Sequence, residues 1–136
     1  MLPSFDPCGN LPPGVHWATW EEMVQRFGSS SRRIWLIKGL YRALKELRRA
    51  GCSVIYLDGS FVTAKENPDD YDACFELVGL DLKVLQKLSP VFFDFTNSRA
   101  AQKAKYRGEW FPAEMAEGLT GRTFIQFFQI EGYGRE

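Results

Sequence analysis

Two short motifs in this sequence carry residue types that could do chemistry. Gly59 and Ser60 follow a β-branched and aromatic run, SVIYL at 53–57, and Asp70 and Asp72 lead into a second, alternating run, YDACFELV at 71–78. Gly59 lets the backbone turn tightly and come close to a ligand. Ser60 would open a short helix, whose free N–H groups and positive dipole end suit phosphate oxygens, and its hydroxyl adds a donor. Side chains at i and i+2 of a strand share one face, so Asp70 and Asp72 can reach a single metal site. Two carboxylates there suit Mg2+ (or Mn2+), a hard cation that completes its octahedron with waters and substrate phosphates. Two such metals about 4 Å apart can activate an attacking oxygen and steady a leaving group. Lys65, Lys103, Lys105 and Arg107 could neutralise a triphosphate, with Lys65 and Lys103 taken as its binding residues; each also has the simpler reading of a solvated surface cation.

These residues need elements to position them. Residues 1–14 hold Pro3, Pro7, Pro12, Pro13, Gly9 and Gly14, and they predict an irregular arm reaching to about residue 18. Thr19 and Glu22 have capping-box spacing and predict a helix over 20–27, stopped by Gly28 in a left-handed conformation. Ser29, Ser30 and Ser31 offer an N-cap for a longer helix over 32–50, on which Ile34, Ile37, Leu40, Tyr41, Leu44 and Leu47 build one apolar stripe. Strands are expected at 53–57 and 71–78, with one or two helical turns over 61–66 between them. Helical turns at 82–88, a further helix at 99–106, a short strand at 108–113 and a strong strand at 123–131 (TFIQFFQIE) complete the reading. The turn Gly132-Tyr133-Gly134 then has no return strand, which suggests a paired sheet edge or a missing C-terminal strand. The fold expected is α+β: a small mixed sheet with helices packed on one face, in a single domain over 1–136.

The arrangement resembles the nucleotidyltransferase superfamily, the fold shared by DNA polymerase beta, kanamycin nucleotidyltransferase and the minimal nucleotidyltransferases of toxin–antitoxin pairs. Its pattern is a strand, Gly-Ser opening a helix, roughly 9–13 residues, then Asp-x-Asp on the next strand, and Gly59, Ser60, Asp70 and Asp72 fill those places. Beyond the motif, LPPGVHWATWEEMVQRFG, YLDGSFVTAKENPDDYDACFE and AQKAKYRGEWFPAE are similar to a family of small bacterial nucleotidyltransferase-like proteins. The resemblance implies a third carboxylate on a later strand, serving as metal ligand or as the base that takes a proton from the attacking hydroxyl. Glu109, in EWFPA, fits the usual spacing better; Asp94, in VFFDF, is the alternative. The implied activity is transfer of a nucleotide from a nucleoside triphosphate to a hydroxyl, on a toxin protein, a tRNA end or a small molecule. A catalytically inactive interaction module of antitoxin type is the second reading, and RNA binding through the basic 32–49 segment the third.

Composition narrows the field. The 136 residues hold 17 Lys+Arg and 17 Asp+Glu, so the formal net charge is zero, which argues against a general polyanion binder. That charge is segregated: seven basic residues and one acid lie between Arg32 and Arg49, and seven acids and one base between Asp58 and Asp81. A lone histidine, His16, excludes multi-His metal sites and makes a Ser-His-Asp triad a poor fit; a hydrogen-bonded packing role is expected for it. Cys8, Cys52 and Cys74 form no C-x-x-C pair and are read as free cytoplasmic thiols. No run of apolar residues is long enough to span a membrane. Trp17, Trp20, Trp35 and Trp110 are expected to anchor the core. Arg99, Gln102, Lys103 and Tyr106 have helical spacing that could form one polar wall facing the Gly-Ser loop. The terminal strand, if its edge is open, invites a homodimer or a docked partner.

Overall fold

The fold was obtained as a computed structural model that describes residues 2–113 and 126–129, the last four through their backbone. A short strand, β1 (His16–Ala18), leads into α1 (Trp20–Phe27), where the Thr19 and Glu22 capping box forms in full. Gly28 ends α1 at φ −92°, so the expected left-handed stop is absent. Its amide instead closes the helix on the Val24 carbonyl at 2.9 Å. Ser30 caps α2 (Ser31–Arg49) by accepting the Arg33 N–H at 3.1 Å. There follow β2 (Val54–Asp58), a 3-10 turn (Ser60–Val62), β3 (Tyr71–Phe75), α3 (Leu82–Leu88), a second 3-10 turn (Pro90–Phe93), α4 (Thr96–Tyr106), β4 (Gly108–Pro112) and β5 (Gln126–Gln129). The helical turns expected over 61–66 shrink to the first 3-10 turn. The remainder of the strand expected at 123–131, and the 132–134 turn, lie outside the described residues.

The fold is α+β. Its mixed sheet has the order β1-β5-β2-β3-β4, with β1 and β5 parallel, β5 and β2 antiparallel, β2 and β3 antiparallel, and β3 and β4 parallel. Two expectations change here. The N-terminal arm is irregular only as far as residue 15, because His16–Ala18 is recruited as a strand. The last strand is no open edge, since β5 is paired on both sides, and this removes the observation that suggested a homodimer.

Strand alternation sends Ile55, Leu57, Tyr71, Ala73, Phe75 and Trp110 to one face, where they join Leu36, Leu40, Ala43, Leu44 and Leu47 of α2 in one core. The other face carries Tyr56, Cys74 and Phe111 in a small satellite cluster, together with the acids described below. The buried stripe of α2 is rotated from the expected one. Arg33, Leu36, Ile37, Gly39, Leu40, Ala43, Leu44 and Leu47 point inward, while Ile34 and Tyr41 are exposed. Gly39 permits the close approach of α4, since a Cβ there would lie 2.2 Å from the Tyr106 carbonyl oxygen. Of the four tryptophans, Trp110 is fully buried, whereas Trp17 and Trp35 are 51% and 42% exposed. His16 Nε2 donates to the Pro12 carbonyl at 2.8 Å, a packing bond within the arm. Cys8 is exposed; Cys52 and Cys74 are buried thiols, and burial pushes Cys52 up to about 11. No described helix is long and apolar enough to cross a membrane.

Arg33 is the polar centre of this core. It is 2% exposed, and its guanidinium donates to the carbonyls of Phe27, Phe61, Thr63 and Lys65 at 3.2, 2.6, 2.7 and 2.7 Å. The rings of Phe27 and Phe61 lie 5.9 and 5.2 Å from its Cζ. Burial lowers its pKa from the ordinary arginine value, but an arginine remains charged in a protein. Arg33→Met would leave several buried acceptors unpaired, each costing about 1–3 kcal/mol. We expect urea denaturation to show a loss of about 3–5 kcal/mol for that variant. Arg33→Lys should recover only part of it, since a three-donor ammonium cannot reproduce the fork.

Candidate metal centre

The acids sit where β2, β3 and β4 run side by side. The β3–β4 register sets Asp72 opposite Glu109, and the β2–β3 register sets Asp58 opposite Asp72. Three carboxylates therefore line up across three neighbouring strands. Asp70, two residues before Asp72, joins them at the mouth of β3. One carboxylate oxygen each from Asp70, Asp72 and Glu109 lies within 4.8 Å of the others, and all three residues are half-buried. Like charges directly opposite one another on a sheet are destabilising.

The interleaved residues hold the acids in place from behind. Tyr71, between Asp70 and Asp72, is fully buried and donates its hydroxyl to the Tyr106 carbonyl at 2.8 Å. Burial pushes its phenol above the ordinary tyrosine range, so it stays a donor. Trp110, next to Glu109, donates its indole N–H to the Tyr71 hydroxyl at 3.0 Å and its backbone N–H to Gln102 Oε1 at 2.7 Å. Gln102 in turn donates to the Val91 and Phe92 carbonyls at 3.3 and 3.2 Å. These bonds tie β3, β4, α4 and the second 3-10 turn together.

Gly59 closes the site from the β2 side. Its φ of 83° and ψ of −171° fall in a region essentially reserved for glycine. A Cβ on it would lie 2.7 Å from Asp72 Oδ2. The turn thus passes directly against the central carboxylate. Ser60 opens the 3-10 turn behind it, and the Ser60 carbonyl accepts both the amide (3.2 Å) and the hydroxyl (2.6 Å) of Thr63.

The remaining candidate residues divide. Lys103 Nζ stands 3.9 Å from Glu109 Oε2, both side chains partly exposed, a geometry of small energetic worth on its own. Lys65 contributes its backbone to the Arg33 site, and its exposed side chain makes no ion pair or hydrogen bond among the described residues. Lys105 is turned to Glu46 at 3.4 Å, and Arg107 donates to the Trp35 carbonyl at 2.7 Å. Asp94 is not in the cluster: it accepts the Thr96 amide and hydroxyl at 3.1 and 2.6 Å, which lowers its pKa. The expected polar wall on α4 does not form. Gln102 and Tyr106 are buried, and residues 97–99 adopt left-handed angles that direct Arg99 over Phe95 and Phe111.

The donor set suits a hard divalent cation, which takes carboxylate oxygens rather than nitrogen or sulfur. Asp70, Asp72 and Glu109 are the residues that could hold it. Asp58, set opposite Asp72 in the β2–β3 register, is a neighbouring acid that the sequence did not single out. Its position as the last residue of β2, just before Gly59, was the available signal.

An α+β protein with carboxylates converging from adjacent strands beside a glycine turn is the class these observations define. Within it, the chain belongs to a family of unknown function (DUF6932), whose model matches residues 3–136. No curated protein and no solved structure matches the chain.

Gly59→Ala tests the close approach. Strain at this backbone conformation and the collision with Asp72 should lower stability by about 1–3 kcal/mol in a thermal or urea melt. Ser60→Ala, at an ordinary backbone position, should change it by less than about 1 kcal/mol.

Proposed function

We propose that this chain is a minimal Mg2+-dependent nucleotidyltransferase, moving a nucleotide from a nucleoside triphosphate onto a hydroxyl with release of pyrophosphate. The observation that carries this reading is the convergence of Asp70, Asp72 and Glu109 against the Gly59-Ser60 turn. Phosphoryl-type transfer asks a protein mainly for positioning and charge stabilisation, and carboxylates of this arrangement would support both through a cation they hold. A bound divalent cation would offset charge on the phosphate oxygens. Asp70 and Asp72 would hold it, with Glu109 as third ligand or as acceptor of the proton from the attacking hydroxyl. The Gly59 turn passes against Asp72, so a phosphate on a cation held there would meet the Ser60 hydroxyl as a nearby donor. Lys103, beside Glu109, is the cation best situated to meet a triphosphate. The acceptor hydroxyl could belong to a protein, an RNA end or a small molecule.

The second reading is an inactive, antitoxin-like interaction module. It is favoured by the Lys103–Glu109 approach, in which the protein provides its own counter-ion to the third acid.

Calorimetric titration of the four triphosphates with Mg2+ separates the two. On the catalytic reading, wild type binds at least one triphosphate only with metal present, and Asp70→Asn/Asp72→Asn loses that binding while keeping its far-UV circular dichroism. Asp72→Asn should also lower transfer about 100-fold or more, the scale of losing a key electrostatic group. Transfer surviving in Asp72→Asn would remove this mechanism. No triphosphate binding in wild type, with or without metal, would favour the interaction module.

A further inference from the structure

The outward face of α2 is a second charged surface, away from the carboxylates. Lys38, Arg42, Lys45 and Arg49 are all exposed and recur at steps of four, three and four residues. At 100° per residue these steps form one line along the helix, about 16 Å long at 1.5 Å per residue. Like charges at such spacings destabilise a helix by about 0.2–0.5 kcal/mol per pair. A face that serves only solvation relieves this with interleaved acids. Here Glu46 is the lone acid on α2, and it is half-buried and engaged by Lys105 and the Tyr106 hydroxyl. Among the described residues, none of the four ridge cations has a carboxylate partner.

The ridge ends on an aromatic. Trp35, 42% exposed, has the guanidinium carbons of Arg32 and Arg107 at 4.6 and 4.2 Å from its ring. Trp35 and Lys38 also line a shallow groove of about 480 Å³ with Ser29, Ser30, Ser31 and Ile34, within the size range of small-ligand sites. A row of cations following a backbone and an exposed aromatic at its end are the two parts of a single-strand binding surface. We propose that this face of α2 binds single-stranded nucleic acid, with its phosphates along Lys38, Arg42, Lys45 and Arg49 and a base in the groove beside Trp35. The charge pattern selects the occupant: four cations in line, without a carboxylate partner among the described residues, complement a linear polyanion.

This binding is independent of the triphosphate reading, and the experiment keeps the two apart. Fluorescence anisotropy of a labelled single strand of about 12 nucleotides, within the usual site sizes, would be followed against salt, in EDTA. Four phosphate contacts predict a log–log slope of about −3, or about 50-fold weaker binding between 50 and 200 mM salt. Lys38→Gln/Arg42→Gln should cut that slope by about half. Trp35→Ala should weaken binding at every salt concentration and leave the slope unchanged. Asp72→Asn should bind as wild type does, so failure at the carboxylates would not register here. The proposal is overturned if wild type does not bind, if the slope survives Lys38→Gln/Arg42→Gln, or if duplex DNA or anionic phosphatidylserine vesicles bind as tightly with the same slope. Circular dichroism and a thermal melt establish that each variant is folded, and loss of two mutually repelling cations should not lower its midpoint.

Discussion

Four backbone carbonyls, from the end of α1, the first 3-10 turn and the loop after it, converge on the Arg33 guanidinium. A buried charge without a carboxylate is tolerable only when its donors are met, and here carbonyl dipoles and two aromatic faces meet them. The consequence reaches the acids. Residues 61–65 are held against α2 by Arg33, and Arg32, one position earlier, donates to the Pro68 and Asp69 carbonyls at 3.0 and 2.8 Å. Adjacent arginines on one helical turn therefore anchor both ends of the segment that begins after Gly59 and delivers Asp70. The loop needs no regular structure of its own, because α2 supplies the hydrogen bonds its carbonyls require.

The same economy operates within the strands. Alternation places Tyr71 and Trp110 in the core and Asp72 and Glu109 on the opposite face, so one backbone serves both packing and chemistry. The inward bonds from Trp110 to Tyr71 and from Tyr71 to Tyr106 fix the parallel register. That register keeps Asp72 beside Glu109 although their charges repel. Parallel pairing also explains the intervening chain: β3 and β4 can be neighbours only through a crossover, which here is α3, the second 3-10 turn and α4. Charge repulsion at the site is thus opposed by a hydrogen-bonded network on the other side of the sheet.

Much of this was legible in the sequence. The capping box of Thr19 and Glu22, the Ser30 cap, the strands at the two motifs and the i, i+2 placement of Asp70 and Asp72 follow from local rules, and local contacts produce them. What was not legible depends on distant partners. The His16–Ala18 strand exists because β5, about 110 residues further on, pairs with it. The inward rotation of α2 is set by Arg33, a residue whose type argues for solvent and whose four acceptors come from elsewhere in the chain. Gly39, which costs a helix about 1 kcal/mol relative to alanine, is intelligible only beside the Tyr106 carbonyl. Asp58 belonged in sequence to a diffuse acidic stretch; only the antiparallel register sets it opposite Asp72. Spacing alone favoured Glu109 over Asp94; the β3–β4 pairing and the Asp94 bonds to Thr96 add the spatial reason.

A net charge of zero conceals two opposed fields. The acids gather across β2, β3 and β4, and the bases along the outward side of α2, with the sheet and its core between them. Each field carries internal repulsion of its own, between carboxylates opposite one another on the strands and between cations one turn apart on the helix. Lys103 meets part of the first at Glu109; on the two proposals above, a bound cation would relieve the acids further and a polyanion the bases. Arg32 links the two surfaces: it lies against Trp35 and also holds the Asp69 carbonyl, one residue from Asp70. Loss of the Arg32 side chain would therefore free one end of the loop before Asp70 and one guanidinium from the Trp35 ring together.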